Sequence, residues 1–198
     1  MTKLAIPVLA IEPATLLQHV SRITYRHQAL YYGHAGAHRY DDPAGLYGVL
    51  YLGADLATAL MESMFHQHAW IRGARATSKT EVAQRLVRMV GVLRTLRLAD
   101  LSAPAVMATQ LGLNLQQLSS RRYAHTQGIS AMVHAHDAPD GLPYDGISFP
   151  SRNNFPSVCV ALFERAQTKV GLFRDVDLPD HADWPAFLRR YQIVVRPR

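Results

Sequence analysis

The chain has 198 residues, 48% of them hydrophobic and 18% charged, which suits one compact domain and excludes a disordered chain. No run approaches ~18 apolar residues, so a membrane span is excluded, and the single cysteine, Cys159, excludes an internal disulfide and points to a reducing compartment, the cytoplasm. The formal charge of +6 rests on arginine, with Lys3, Lys79 and Lys169 the only lysines, and the excess gathers at Arg85, Arg88, Arg94, Arg97, Arg121 and Arg122. Two readings of that cluster stand: a patch for nucleic acid or an acidic partner, or a solvated helical face.

The first segment, MTKLAIPVLAIEPATLLQHV, has one Lys and is interrupted by Pro7, Glu12 and Pro13, a poor secretory signal. Residues 13–20 read as a short helix opened by proline, and Ile23–Tyr25 as a strand leading into Arg26. Glycines make 33–48 a loop. Val49–Leu52, between Gly48 and Gly53, is a strand. Asp55 is placed to cap a helix, LATALMESMFHQHA, whose Leu56, Ala59, Leu60 and Met64 recur at helical spacing. Alternating basic and apolar residues favour a strand around Val90–Leu96, broken after Asp100. Residues 104–118 and 121–127 read as helices, with Gly128 as a stop. Ile129–Ala135 reads as a strand, HDAPDGLPYDG as loop, and GISFPS and SVCVALF as strand-like runs. Residues 184–191 make a last helix and Ile193–Val195 a last strand. The expectation is an α+β domain of about six short strands.

The chain contains no G-x-x-x-x-G-K-[ST], no G-x-G-x-x-G after a strand, no H-E-x-x-H, no C-x-x-C and no G-x-S-x-G. The His66/His68 pair lies in a predicted helix, where the two rings diverge. The His134/His136 pair ends a predicted strand, with no carboxylate at a convincing third-ligand spacing, so no metal is expected. Cys159, in an apolar strand, reads as a small core hydrophobe. Glu62 lies roughly 200° around its helix from Leu60, off the apolar stripe. By pattern alone it is an ordinary solvated residue.

The segments TYRHQAL, AHRYDDPAGLYGVLYLGADLATALMESMFH and, much later, YDGISFPSRNNFPSVCVALF together resemble the RES family, named for an Arg, a Glu and a Ser. The matching positions are Arg26, Glu62 and Ser151, with Arg39 and Tyr51 in the family's arginine loop and following strand. Many members carry Gly-Arg-Trp at the loop arginine, where this chain has His38-Arg39-Tyr40. The resemblance covers about residues 20 to 165. It implies one domain over 1–198, with 1–20 an N-terminal extension, and a core similar to diphtheria-toxin-type ADP-ribosyltransferases.

The resemblance further implies a toxin that consumes NAD as substrate, without a prosthetic group, by breaking the ribosyl–nicotinamide bond. The acceptor is water or inorganic phosphate, or a protein side chain if the chain is instead a mono-ADP-ribosyltransferase. A helix-turn-helix (Xre-type) antitoxin and a homodimer are the implied partners. The residue types suit the chemistry. Bond cleavage puts positive charge on the ribose, which a fixed Glu62 carboxylate stabilises. Arg26 and Arg39 suit the diphosphate, Tyr51 and Tyr40 offer ring surfaces, and Ser151 can hold the carboxamide or a ribose hydroxyl. A basic nucleic-acid- or partner-binding domain without catalysis is the competing class. It predicts aromatics among the basic residues, and residues 81–122 contain no Phe, Tyr or Trp.

Overall fold

A computed structural model describes residues 5–66, 75–103, 106, 120 and 122–197. The chain runs through β1 (Val8–Ile11), β2 (Leu16–Arg22), β3 (Val49–Gly53), α1 (Leu56–Glu62), β4 (Arg75–Ser78), α2 (Lys79–Ala83), β5 (Arg85–Val92) and β6 (Leu96–Asp100). It continues through α3 (Ala124–Ala135), β7 (Gly146–Pro150), β8 (Val158–Phe163), β9 (Val170–Asp177), α4 (Trp184–Arg190) and β10 (Ile193–Arg196). Eight strands form one large curled sheet in the order β1-β6-β7-β8-β3-β2-β5-β9. It is antiparallel except where β6 runs parallel to β7. A separate parallel pair joins β10 to β4.

The single mixed domain follows the expected class, but several elements differ. Residues 13–20 are not a helix. Ala14 turns the chain at φ 68 and donates its amide to Val92, and Leu16 to Arg22 then pair with β5 along their whole length. Burial of Leu17 and Val20 together with this ladder outweighs the weak helical preference of the segment. Residues 8–20, expected as an extension, thus contribute β1 and most of β2. Ile23–Tyr25 is a 3₁₀ turn rather than a strand, and all three of its residues are exposed. The strand expected at Val90–Leu96 is interrupted. β5 ends at Val92 and β6 starts at Leu96, far apart in the sheet.

Ile129–Ala135 is not a strand but the second half of α3, which runs through Gly128. A Cβ at Gly128 would meet nothing within 4 Å, so the glycine neither packs nor stops the helix. The inward face of α3 is partly polar. Ser130 donates to the Tyr40 carbonyl at 2.6 Å, and Gln127 Nε2 donates to those of Gly36 and His38 at 2.8 and 3.0 Å. These contacts break the apolar periodicity that would have marked the helix. The helix expected over 56–69 ends at Glu62, with residues 63–66 in a turn and the rest outside the described residues, and of the helix expected at 104–118 only Val106 is described. Among the described residues there are ten strands where about six were expected, because β1, β2, β4 and β9 carry weak or mixed patterns.

Side chains on one face of the sheet bury against two groups of elements. Leu56, Leu60, Met64 and Phe65 in and after α1 pack with Trp184, Phe187 and Ile193 near the C-terminus. Ile129 and Val133 of α3 pack with Tyr40, Tyr47, Phe149 and Phe163. The remaining cluster joins Leu17, Leu50, Leu52, Val90, Leu98 and Leu162. One irregularity positions the site. β2 pairs with β3 at a single position, Gln18 near the start of β2 with Gly53 at the end of antiparallel β3, so the two neighbouring strands splay apart beyond that pair. α1 packs over this opening, against β2, β3 and β8.

Candidate active site

The turn from β3 into α1 builds the site. Asp55 caps the helix, its carboxylate accepting the Thr58 amide at 2.7 Å. Gly53 lets the helix sit on the strand. A Cβ there would lie 2.6 Å from the Ala59 nitrogen, closer than any side chain permits. Glu62, at the C-terminal end of α1, is therefore held over the splay between β2 and β3, with its side chain 18% exposed.

A cavity of about 280 Å³ opens there, lined among others by His19, Arg39, Tyr51, Glu62, Phe149 and Arg152. Glu62 divides its oxygens. Oε1 accepts from Ser151 Oγ at 2.7 Å, from the Asn153 amide at 2.9 Å and from Asn153 Nδ2 at 3.3 Å. Oε2 lies 3.9 Å from the guanidinium of Arg39, beyond hydrogen-bond length. Arg39 is 8% exposed and lies over the ring of Phe149, 5.5 Å from its centroid. No hydrogen bond from its guanidinium to another described residue is present, so a buried cation brings unspent donors to the cavity.

Tyr51 lines the cavity, but its hydroxyl is committed. It donates to Asp41 at 2.9 Å and accepts the Tyr40 amide at 2.8 Å. Burial first, then the Asp41 carboxylate, pushes the Tyr51 phenol well above its ordinary value, so it stays neutral. The Tyr51 ring is what it offers a ligand. Cys159 also lines the cavity. Burial, then Glu62, pushes its thiol up, which keeps it protonated and a poor nucleophile. This agrees with its reading as a small hydrophobe.

The structure brings Glu62, Arg39, Tyr51 and Ser151 together and leaves two predicted residues elsewhere. Arg26 is not among the cavity-lining residues. Its guanidinium forms an ion pair with Asp177 of β9, because the chain turns away from the splay after β2. Tyr40 is fully buried behind the cavity wall, its ring 4.5 Å from that of Phe149. Phe149 supplies the cavity surface that Tyr40 was expected to give. Ser151 is 1% exposed and gives its hydrogen to Glu62, so it orients the carboxylate.

Three participants had no sequence signal. His19 lies where β2 leaves β3, its Nδ1 2.9 Å from the Tyr51 carbonyl, bridging the splayed strands. Burial is the main cause that lowers its pKa below the ordinary imidazole value. Asp41 and Asn153 were also missed, since both act through partners distant in sequence or through a backbone amide. His134 lies on α3, stacked on Tyr47 at 3.8 Å, and His136 contacts the Met132 carbonyl, while His68 lies outside the described residues. Among the described residues no group of three or more His, Cys, Asp or Glu is placed to hold a metal ion. No helix among them is long and apolar enough to cross a membrane.

A comparison with curated proteins finds no match. The sequence model of the RES domain family matches residues 16–186. That segment runs from the first residue of β2 into α4 and encloses every cavity-lining residue named above: the chain belongs to the RES domain family.

Proposed function

We propose that this protein cleaves the bond between ribose and nicotinamide in NAD. The observation that carries the reading is the Glu62 carboxylate, with Oε1 bound by three donors and Oε2 left beside a buried arginine at the cavity. The RES domain family is generally associated with NAD-related toxin function, and the donor set suits that substrate. As nicotinamide departs with the electrons of its glycosidic bond, positive charge develops on the ribose. Oε2 faces that charge without reorganising, because Oε1 is already held. Arg39 offers a planar fork to the diphosphate. Tyr51 and Phe149 give ring surfaces for the nicotinamide. An acceptor then attacks the ribose carbon from which nicotinamide has left.

This reading places the chain on an ADP-ribosyltransferase-like core, folded as one domain over 1–198, with an Xre-type antitoxin as its physiological inhibitor. Its test is a mass-spectrometric product assay on NAD, using protein freed of any bound partner. Nicotinamide should appear together with ADP-ribose in water, or with a phosphorylated ADP-ribose when inorganic phosphate is present. A stoichiometric mass gain on a protein present in the assay would identify a protein acceptor. NAD that stays intact through prolonged incubation overturns the reading.

A further inference from the structure

Tyr191 lies beyond residue 186, where the family match ends, yet it reaches the loop that holds Glu62. α4 buries Trp184 and Phe187 against α1, with the rings of Phe187 and Phe65 5.6 Å apart. Tyr191 caps this stack, its ring 4.8 Å from Phe187. Its hydroxyl donates to Oδ1 of Asn154. The amide group of Asn154 donates in turn to Thr58 Oγ1 at 2.9 Å and to Ser157 Oγ at 3.3 Å. Thr58 is buried one helical turn before Glu62.

The backbone of the same residue completes the connection. The Asn154 amide donates to Ser151 Oγ at 2.9 Å, and that hydroxyl gives its own hydrogen to Glu62 Oε1. The neighbouring Asn153 amide donates to the same oxygen. Asn154 is thus held by the C-terminal segment on one side and by α1 on the other. Both ties bear on the loop whose donors choose which Glu62 oxygen faces the cavity.

We propose that Tyr191 and Asn154 are positioning residues: the segment after α4 clamps loop 151–157 so that Ser151 and Asn153 fix Oε1 and present Oε2 to the cavity. The effect on rate rests on the NAD reading, whereas the geometry does not. Arg39, Tyr51 and Phe149 take no part in the clamp. Loosening it therefore misorients the carboxylate and leaves the diphosphate and ring contacts in place. The loss falls on kcat and spares KM.

Tyr191→Phe and Thr58→Val each remove one hydrogen bond at nearly constant shape. Each should lower kcat about 3–10-fold with KM within about twofold, and Asn154→Ala should lower it further. In a Ser151→Ala background, Tyr191→Phe should cost much less than it does alone, because part of the path it acts through is gone. Amide hydrogen exchange by NMR supplies a readout independent of turnover. The Asn153 amide should exchange faster in Tyr191→Phe while the amides of β7 and β8 keep their protection. Wild-type kcat in both single variants, or a kcat loss matched by a KM rise, overturns the proposal. If the wild-type protein leaves NAD intact, the NAD reading fails by itself. The Asn153 exchange rate then decides the clamp, and unchanged protection overturns it.

Discussion

Glu62 gives its two oxygens different tasks, and Glu62→Gln separates them. The glutamine carbonyl can take the place of Oε1, where Ser151 and Asn153 converge. Its NH2 then stands where Oε2 faced the cavity beside Arg39. The side chain keeps its seat and loses its charge, so kcat should fall about 10²–10³-fold, or ~3–4 kcal/mol. Circular dichroism should stay unchanged, since Gln and Glu have nearly equal helix propensity. An undiminished rate would remove the carboxylate from the mechanism. At Arg39 the loss should instead appear as affinity. Arg39→Ala should raise KM for NAD about 10–100-fold, the usual worth of charged hydrogen bonds. Arg39→Lys should recover only part, because a point charge replaces a planar fork. Arg26 provides the contrast. Its ion pair with Asp177 is partly exposed, at 31% and 41% for the two side chains, so Arg26→Ala should change KM far less than Arg39→Ala. A KM rise equal to that of Arg39→Ala would show that Arg26 reaches the diphosphate after all.

The elements differ in how much of themselves they announce. β3 and the start of α1 were legible because their signals are local: glycines bounding an apolar run, then an Asp at the cap position. β7 and β8 were legible as apolar runs between loops. β2 and α3 were not, because each owes its form to partners far along the chain: β2 to the ladder with β5, α3 to the carbonyls of residues 36–40. The site divides the same way. Glu62, Arg39 and Ser151 came from the family pattern, while His19, Asn154 and Tyr191 act through contacts that spacing does not encode. α3 also carries a pH signature. His134, stacked on Tyr47, has a pKa lowered from 6.5 to about 4, by burial first and by Arg165 next. As pH falls through 6.5, the unfolded chain takes up a proton that the folded chain refuses. The contribution is therefore whole above pH 6.5 and is lost progressively down to about 4. His134→Phe keeps a ring against Tyr47 and removes the titration. Urea midpoints measured between pH 7 and 4.5 should fall less steeply in this variant than in the wild type. Parallel slopes would mean that His134 protonates freely in the folded protein.

The positive charge of the whole chain is less available than its sum suggests. Arg85 pairs with Glu81, and Arg97 pairs with Asp140 at 2.6 Å. Arg94 donates to both oxygens of Thr168 offered to it, the hydroxyl at 2.8 Å and the carbonyl at 3.1 Å. Arg88 is 2% exposed. It is bound to Asp175 at 3.0 Å and to the carbonyls of Gln28 and Ala29 at 2.5 and 3.3 Å. Of the six arginines in the basic cluster, Arg122 is exposed and Arg121 lies outside the described residues. Each of the remaining four gives at least one guanidinium nitrogen to this chain's own acceptors, Arg88 all three of its nitrogens. A nucleic-acid face built on them would first have to break those bonds, and it would lack aromatic residues to stack on bases. Arg88 gives the sharpest distinction. If it is part of the fold, Arg88→Ala leaves the Asp175 carboxylate, 10% exposed, without its cation. Breaking a buried pair in this way costs about 3–5 kcal/mol. Arg94→Ala, at an exposed position, should cost less than about 1 kcal/mol. A paired change, Arg88→Met with Asp175→Leu, should recover most of the Arg88→Ala loss, since removing both charges leaves neither unpaired. Urea unfolding of the four proteins measures all three differences, and a filter assay with duplex DNA at two salt concentrations runs beside it. An Arg88→Ala protein that keeps wild-type stability and loses salt-sensitive DNA retention would reverse the assignment, placing that arginine on a binding surface instead of between the sheet and its loop.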